Sequence, residues 1–207
     1  MSSYRIDERP LRGRELGLAA QVGKRAFFDD PFFSFLFPTP RMRERSLPIF
    51  FRTVFAHMGP KGKVVTVRNE RDEIVGIAAW QTTGGYPLGV GVQLAQMPGS
   101  LRAMFPRGRS FGDGLKYMTA LADAHRKDAQ WYLMVLCADP PDQRRGVGTL
   151  LLEHAFAQVD TEGVGSYLET PREDNVAYYR RFGYELIDTL RPIAGAPAYY
   201  TMWRAPR

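Results

Sequence analysis

The stretch Trp131-Tyr132-Leu133-Met134-Val135-Leu136-Cys137-Ala138-Asp139-Pro140-Pro141-Asp142-Gln143-Arg144-Arg145-Gly146-Val147-Gly148-Thr149 decides the fold. Its first eight residues are almost wholly apolar, which predicts a strand buried on both faces. Asp139-Pro140-Pro141 ends the strand. A helix then runs through Val159, with Val147, Leu150, Leu151, Ala155 and Val159 inward. A strand that feeds a Gly-rich turn and then a helix leaves the first helical N–H groups without partners and turns the positive end of the helix dipole toward the turn. Gly146 and Gly148 let a ligand reach that backbone, and Arg144 and Arg145 add charge. The combination suits phosphate. Two common phosphate motifs fail: Gly148-Thr149 lacks the lysine of a Walker A loop, and Leu151 stands where a dinucleotide fingerprint needs a third glycine.

Outward from this unit, Gly163 to Gly165 turns the chain into a strand over Ser166 to Thr170, and a helix from about Asp174 to Phe182 stops at Gly183. Tyr184 to Thr189 and Ala198 to Arg204 pattern as a final antiparallel pair. Upstream, Tyr4 to Arg9 is a short strand. Arg14 to Phe27 has helical spacing, with Leu16, Ala19, Ala20, Gly23 and Phe27 on one face. Asp29 to Phe33 reads as a turn into a cluster of aromatics. Arg41 to His57 reads as helix, with Pro48 bending it or marking its start. Lys63 to Arg68 and Glu73 to Gln81 form a hairpin across Asn69 to Asp72. Tyr86 to Arg109 carries Gly and Pro punctuation with short helices, and Gly114 to Lys127 is a better helix. Strands alternate with helices late in the chain and pair directly elsewhere, which is a mixed α/β sheet.

The pattern Gln143-x-x-Gly146-x-Gly148, placed between that strand and that helix, resembles the pyrophosphate loop of the GNAT superfamily of N-acetyltransferases. A second hallmark is matched by Asn175, then Tyr179 four residues on, then Gly183-Tyr184 after three more. Trp131 to Tyr184 also resembles the subgroup containing puromycin N-acetyltransferase, through Trp131-Tyr132-Leu133 and Leu168-Glu169-Thr170. Asp30-Pro31-Phe32-Phe33 and Gly76…Trp80 add to the likeness.

The resemblance implies an α/β fold of the α+β type. Its sheet is mixed and mostly antiparallel, with six to seven strands, a splayed parallel central pair and flanking helices. It implies one acetyltransferase domain over 1–207 with a helical insertion around 84–130. It implies acetyl-CoA as cofactor, with the pyrophosphate cradled by the backbone of Arg145, Gly146, Val147, Gly148 and Thr149, helped by Gln143 and Arg144. Leu136 and Ala138, flanking Cys137, are the implied backbone partners of the pantetheine arm, in the manner of an added strand. An N–H near Leu136 is placed to meet the thioester oxygen as it gains charge. Tyr179 holds the general-acid position, since a phenol with pKa near ~10 is protonated at pH 7 and can donate to a thiolate whose conjugate acid lies near ~8.5. Asn175, one turn earlier on the same face, is the implied cofactor contact, and a helix cap is compatible with that. Glu169 or His125 takes the amine proton. Phe32, Phe33, Trp80 and Glu169 border the acceptor. Tyr178 reads as packing, and Cys137 as a small apolar strand residue.

The expected reaction is direct transfer to the primary amine of a small molecule in a ternary complex. A catalytically inactive acyl-CoA sensor and a protein or peptide N-acetyltransferase are the alternatives. The net charge of +6 invites nucleic acid, but the basic residues are spread along the chain and no RRM, KH or zinc-finger signature appears, so no nucleic-acid partner is expected. The single cysteine excludes an intrachain disulfide framework and a cysteine-rich zinc site, and no metal is expected. Without a secretory pattern or a long apolar run, a cytoplasmic protein with no membrane partner is expected. A homodimer is compatible with the resemblance.

Overall fold

A computed structural model describes residues 4–104, 111–126, 130–191 and 193–207. The last residue of the helix expected over Gly114 to Lys127 therefore lies outside the described residues. Seven strands form one sheet: β1 (Arg5–Asp7), β2 (Gly62–Arg68), β3 (Ile74–Gln81), β4 (Trp131–Ala138), β5 (Ser166–Thr170), β6 (Glu185–Leu190) and β7 (Tyr199–Arg204). Their order is β1-β2-β3-β4-β5-β7-β6. Every pairing is antiparallel except β4 with β5. The sheet is thus mixed and mostly antiparallel, with one parallel pair at its centre, as expected.

Helices cover both faces. On one face lie α1 (Gly13–Ala26), α2 (Pro31–Leu36) and α3 (Pro40–Ala56), joined by α4 (Val90–Met104) and α5 (Phe111–Ala124), which sit between β3 and β4 in the chain. On the other lie α6 (Val147–Thr161) and α7 (Glu173–Arg180). Each face has its own apolar core. The first gathers Phe33, Leu47 and Phe51 against Ile77, Ala79, Val135 and Cys137; the second gathers Leu151, Phe156 and Val159 against Trp80, Trp131 and Leu133.

Two local readings change, and a third, the place of Pro48 in the helix expected over Arg41 to His57, is resolved. Asp29 to Phe33 is not only a turn. Asp30 Oδ1 accepts from the Phe32 and Phe33 amides at 3.0 and 3.4 Å and starts α2, with Pro31 in the first turn where its missing N–H costs nothing. The aromatic run PFFSFL has weak helix propensity, so the cap and the packing of Phe32, Phe33 and Leu36 set its conformation. The next helix begins earlier than Pro48 and runs through it: Thr39 Oγ1 caps at Met42 N, 3.2 Å away, with Pro40 at the start. Among the described residues, the segment after Tyr86 carries one helix of 15 residues, Val90–Met104, where short helices were expected.

β4 departs from simple alternation. Trp80 pairs with Leu133 and Ala79 with Val135, so Met134 is an extra residue, a β-bulge. Trp131 and Leu133 therefore face the α6 side, while Val135 and Cys137 face the α1–α3 side. This explains why the strand needs apolar residues at every position. The parallel pairing with β5 stops at the same point, with Leu133 opposite Leu168. Beyond it the two central strands part.

Candidate active site

The gap between β4 and β5 opens the sheet. A cavity of about 330 Å³ passes there, bounded by β4 at Leu133 to Leu136, by the end of β5 at Leu168 to Thr170, and by Asn175 and Tyr179 of α7. Its other wall is α1–α3 with Phe32, Phe33 and Phe50, and Met118 and Leu121 of α5 close it from above. A larger hollow, about 570 Å³, lies at the far edge of the sheet among Arg5, Arg9, Asn69, Glu70 and Asp72. It is open to solvent, and Arg5 and Arg9 there pair with Asp72 and Asp7.

The edge of β4 facing the gap is set by strand geometry. Asp139 N donates to Val75 O at 2.8 Å, so the odd-numbered residues nearby turn their backbone groups to β3. Leu136 and Ala138 turn theirs to the parted side. Cys137 pairs in register with Ile77 of β3, its sulfur accepts from the Ile77 backbone, and its side chain lies in the α1–α3 core. Cys137 thus contributes neither backbone nor side chain to the gap, which corrects its expected place in the cofactor set. Burial pushes its thiol up to about 12, far from a nucleophile. The Ala138 carbonyl accepts from Gln143 Nε2 at 3.2 Å. Gln143 is therefore a tie between the loop and the strand end.

Past that tie, Arg144 takes φ +60° and Gly146 φ +88°, a left-handed start to α6. No side chain caps this helix, so the first-turn N–H groups at Val147, Gly148 and Thr149 have no helical partner. Space above Gly146 is open. A Cβ on Gly148 would lie 2.7 Å from the Tyr178 hydroxyl. That hydroxyl is buried against Gly148 and Thr149 without a hydrogen bond of good geometry. Val147 itself is buried in the second core, so only its backbone faces the loop. Arg144 and Arg145 are exposed beside it. Bare amides, a glycine path, an orphaned hydroxyl and two arginines fit the diphosphate of a coenzyme A donor.

The structure brings Tyr179, Asn175 and Glu169 to one cavity, with Phe32 and Phe33 on its far wall. Tyr179 is buried against Tyr178 and Tyr184, ring centroids 5.3 and 5.8 Å away, and burial holds its phenol proton far above the usual range. Asn175 lies inside the first turn of α7, not at its cap, and Nδ2 donates to Thr170 Oγ1 at 3.0 Å. Glu169 is held by two phenols: Tyr167 donates at 2.9 Å and Tyr132 at 3.4 Å.

His125 Nδ1 is 3.5 Å from Glu169 Oε1, so the two candidate bases are a pair. Only Glu169 lines the cavity. His125 sits behind it, packed on Tyr86, Tyr132 and Tyr167 at 3.7, 4.4 and 4.7 Å between centroids, with Nε2 buried and unbonded. His125, one of the two expected bases, thus stands outside the cavity lining, beside Glu169. Trp80 is also corrected. It is fully buried on the α6 side against Trp131 and Phe156, because the pleat at β3 turns it away from the cavity.

Asp30 was not among the expected site residues, yet it lines the cavity. Burial pushes its carboxyl up to about 6, opposed by the Phe33 and Phe32 amides and by Arg172. The native state therefore keeps a proton that the unfolded chain releases near ~3.9. The stabilisation this supplies is complete below that value and is lost as pH rises through about 6. The change is on the order of 3 kcal/mol. Asn caps as well as Asp, so Asp30→Asn should keep α2. Urea unfolding at pH 4 and pH 7 should show the wild type losing stability relative to that variant. Parallel curves would mean that Asp30 is not desolvated.

The acetyltransferase (GNAT) family model matches residues 28–184, and the chain belongs to that family. Solved structures share the fold. A histone acetyltransferase HPA2 and related acetyltransferase from Corynebacterium glutamicum ATCC 13032 is 22% identical with TM-score 0.69, covering 100% of this chain and 98% of that one. Arylalkylamine N-acetyltransferase 2 from Aedes aegypti is 11% identical with TM-score 0.59, covering 98% and 99%. PaiA N-acetyltransferase from Thermoplasma acidophilum, solved in complex with coenzyme A, is 10% identical with TM-score 0.57, covering 98% and 99%. Among the described residues no helix is long and apolar enough to cross a membrane.

Proposed function

We propose that this protein transfers an acetyl group from acetyl-CoA to the primary amine of a small molecule, by direct attack with both partners bound. One observation carries the reading. The parting of β4 from β5 opens a cavity that Tyr179, Asn175, Glu169 and Asp30 share, and the uncapped start of α6 follows closely on the end of β4. The likeness of Trp131 to Tyr184 to the puromycin N-acetyltransferase-like subgroup supports a small acceptor. So does the closing of the cavity by α5, within the insertion at 84–130 of a single domain.

The donor, when bound, supplies an activated acetyl thioester. The backbone amides of Gly146 to Thr149, with Arg144 and Arg145, hold its diphosphate, and Asn175 borders the same channel. The free N–H and C=O of Leu136 and the N–H of Ala138 orient the arm by strand-like pairing. Glu169, fixed by Tyr132, Tyr167 and His125, accepts the proton of the ammonium directly or through water and leaves a nucleophilic amine. Tyr179 keeps its proton on Oη until a leaving thiolate takes it.

A thiol-release assay with acetyl-CoA against a panel of primary amines tests this. Acetyl-CoA-dependent release that requires an amine is expected. Tight coenzyme A binding without release on any amine would replace the transferase with an acyl-CoA sensor. Release only with peptides would move the acceptor to protein N-termini.

A further inference from the structure

The polar groups of the acceptor cavity are unevenly committed. Among the described residues, the charged side chains that line it are Glu169 and Asp30; no lysine or arginine does. Glu169 uses both oxygens, Oε1 toward Tyr167 and His125 and Oε2 toward Tyr132. Asp30 uses one. Its Oδ1 caps α2 at the Phe32 and Phe33 amides, while Oδ2 accepts no hydrogen bond from the described residues. Asp30 as a whole is only 7% exposed, and it lines the cavity. A carboxylate oxygen beside an apolar cavity, with no donor from the protein, gains from a ligand that donates to it.

Around it the walls are aromatic. Phe32 packs on Tyr117 and Tyr199 at 5.7 and 5.9 Å, and Phe33 on Phe50 at 5.1 Å. Such a site attracts a cation on an apolar body and repels any second group that carries negative charge. A carboxylate or phosphate on the acceptor would meet two acids, with no lysine or arginine among the described residues that line the cavity.

We propose that the acceptor is a lipophilic primary amine without an anionic group, and that Asp30, through Oδ2, is the specificity residue that docks its ammonium while Glu169 stays committed to proton transfer. This rests on the acetyl-transfer reading for the identity of the site, but the binding it describes needs no acyl donor.

Calorimetry on the whole protein, with three probes of one shape, tests it. The probes are 2-phenylethylamine, its neutral counterpart 2-phenylethanol, and the zwitterion phenylalanine. The amine should bind roughly 10- to 100-fold tighter than the alcohol, as expected for a hydrogen bond to a charged group, and phenylalanine should not bind. Asp30→Asn keeps the cap and should erase the preference for amine over alcohol. In turnover it should raise KM for the amine by a similar factor, with kcat and coenzyme A affinity little changed. A merely structural Asp30 would lower the melting temperature without altering the amine-to-alcohol ratio. The proposal is overturned if phenylalanine binds as well as the amine, if the ratio survives Asp30→Asn, or if hydrophilic polyamines drive thiol release while 2-phenylethylamine neither binds nor reacts. Asp30-dependent amine binding without thiol release on any amine would retain the proposal and remove the transferase reading instead.

Discussion

Replacing Tyr179 by Phe is expected to lower kcat by about 100-fold or more, the range of a lost general acid, while coenzyme A affinity stays within a factor of about two. The substitution removes one oxygen and keeps the ring, so the contacts with Tyr178 and Tyr184 at 5.3 and 5.8 Å persist and α7 is undisturbed. What is lost is a proton that burial holds firmly on the phenol. Two neighbouring proton-bearing groups are turned elsewhere. The Cys137 thiol, pushed up to about 12, faces the other core, and the Tyr178 hydroxyl lies against Gly148. Steady-state kinetics with a fixed amine and a separate binding isotherm separate the two effects. If kcat is unchanged, Tyr179 has no part in the chemistry. If kcat and affinity fall together, its hydroxyl serves binding instead.

Gly148→Val is expected to weaken coenzyme A binding by about 100-fold or more, because the loss of even two charge-assisted hydrogen bonds has that size. The reason is local. The first carbon of the new side chain would lie 2.7 Å from the Tyr178 hydroxyl, and its methyl groups would stand over amides meant for a phosphate. Gly148 is in the first turn of α6, behind a start that Gly146 makes at φ +88°. The helix itself should survive, and a melting curve near that of the wild type is expected. Unaltered coenzyme A binding in a folded Gly148→Val protein would place the cradle elsewhere.

Much of this was legible from one stretch of chain. The strand Trp131 to Ala138 and the helix that follows the two glycines lie where their pattern put them, since an apolar run ended by Asp-Pro-Pro and a Gly turn leaves few local alternatives. The same holds for Ser166 to Thr170. Other elements were not legible. The helix at Pro31 to Leu36 depends on a cap and on aromatic packing more than on propensity, and its six residues are too few to show a period. The bulge at Met134 has no sequence signature, because every residue of β4 is compatible with either face. Trp80, expected with the aromatics near the acceptor, packs beneath α6, because which side of the sheet a β3 residue faces is set by its pairing with β4.

By itself the sequence determined the family, the Gly-rich turn between strand and helix, and the placing of Asn175 and Tyr179 as neighbours on one helix face. These are local facts, carried by spacing within a single element or across one turn. The tertiary structure alone decided the division of the sheet into two faces joined by a gap. It paired His125 with Glu169, 44 positions apart, at 3.5 Å, made Glu169 the member that lines the cavity, and brought in Asp30 from the other end of the chain. Burial, the state of a hydrogen bond and the sign of a cavity arise only when distant segments meet. No pattern along the chain records them.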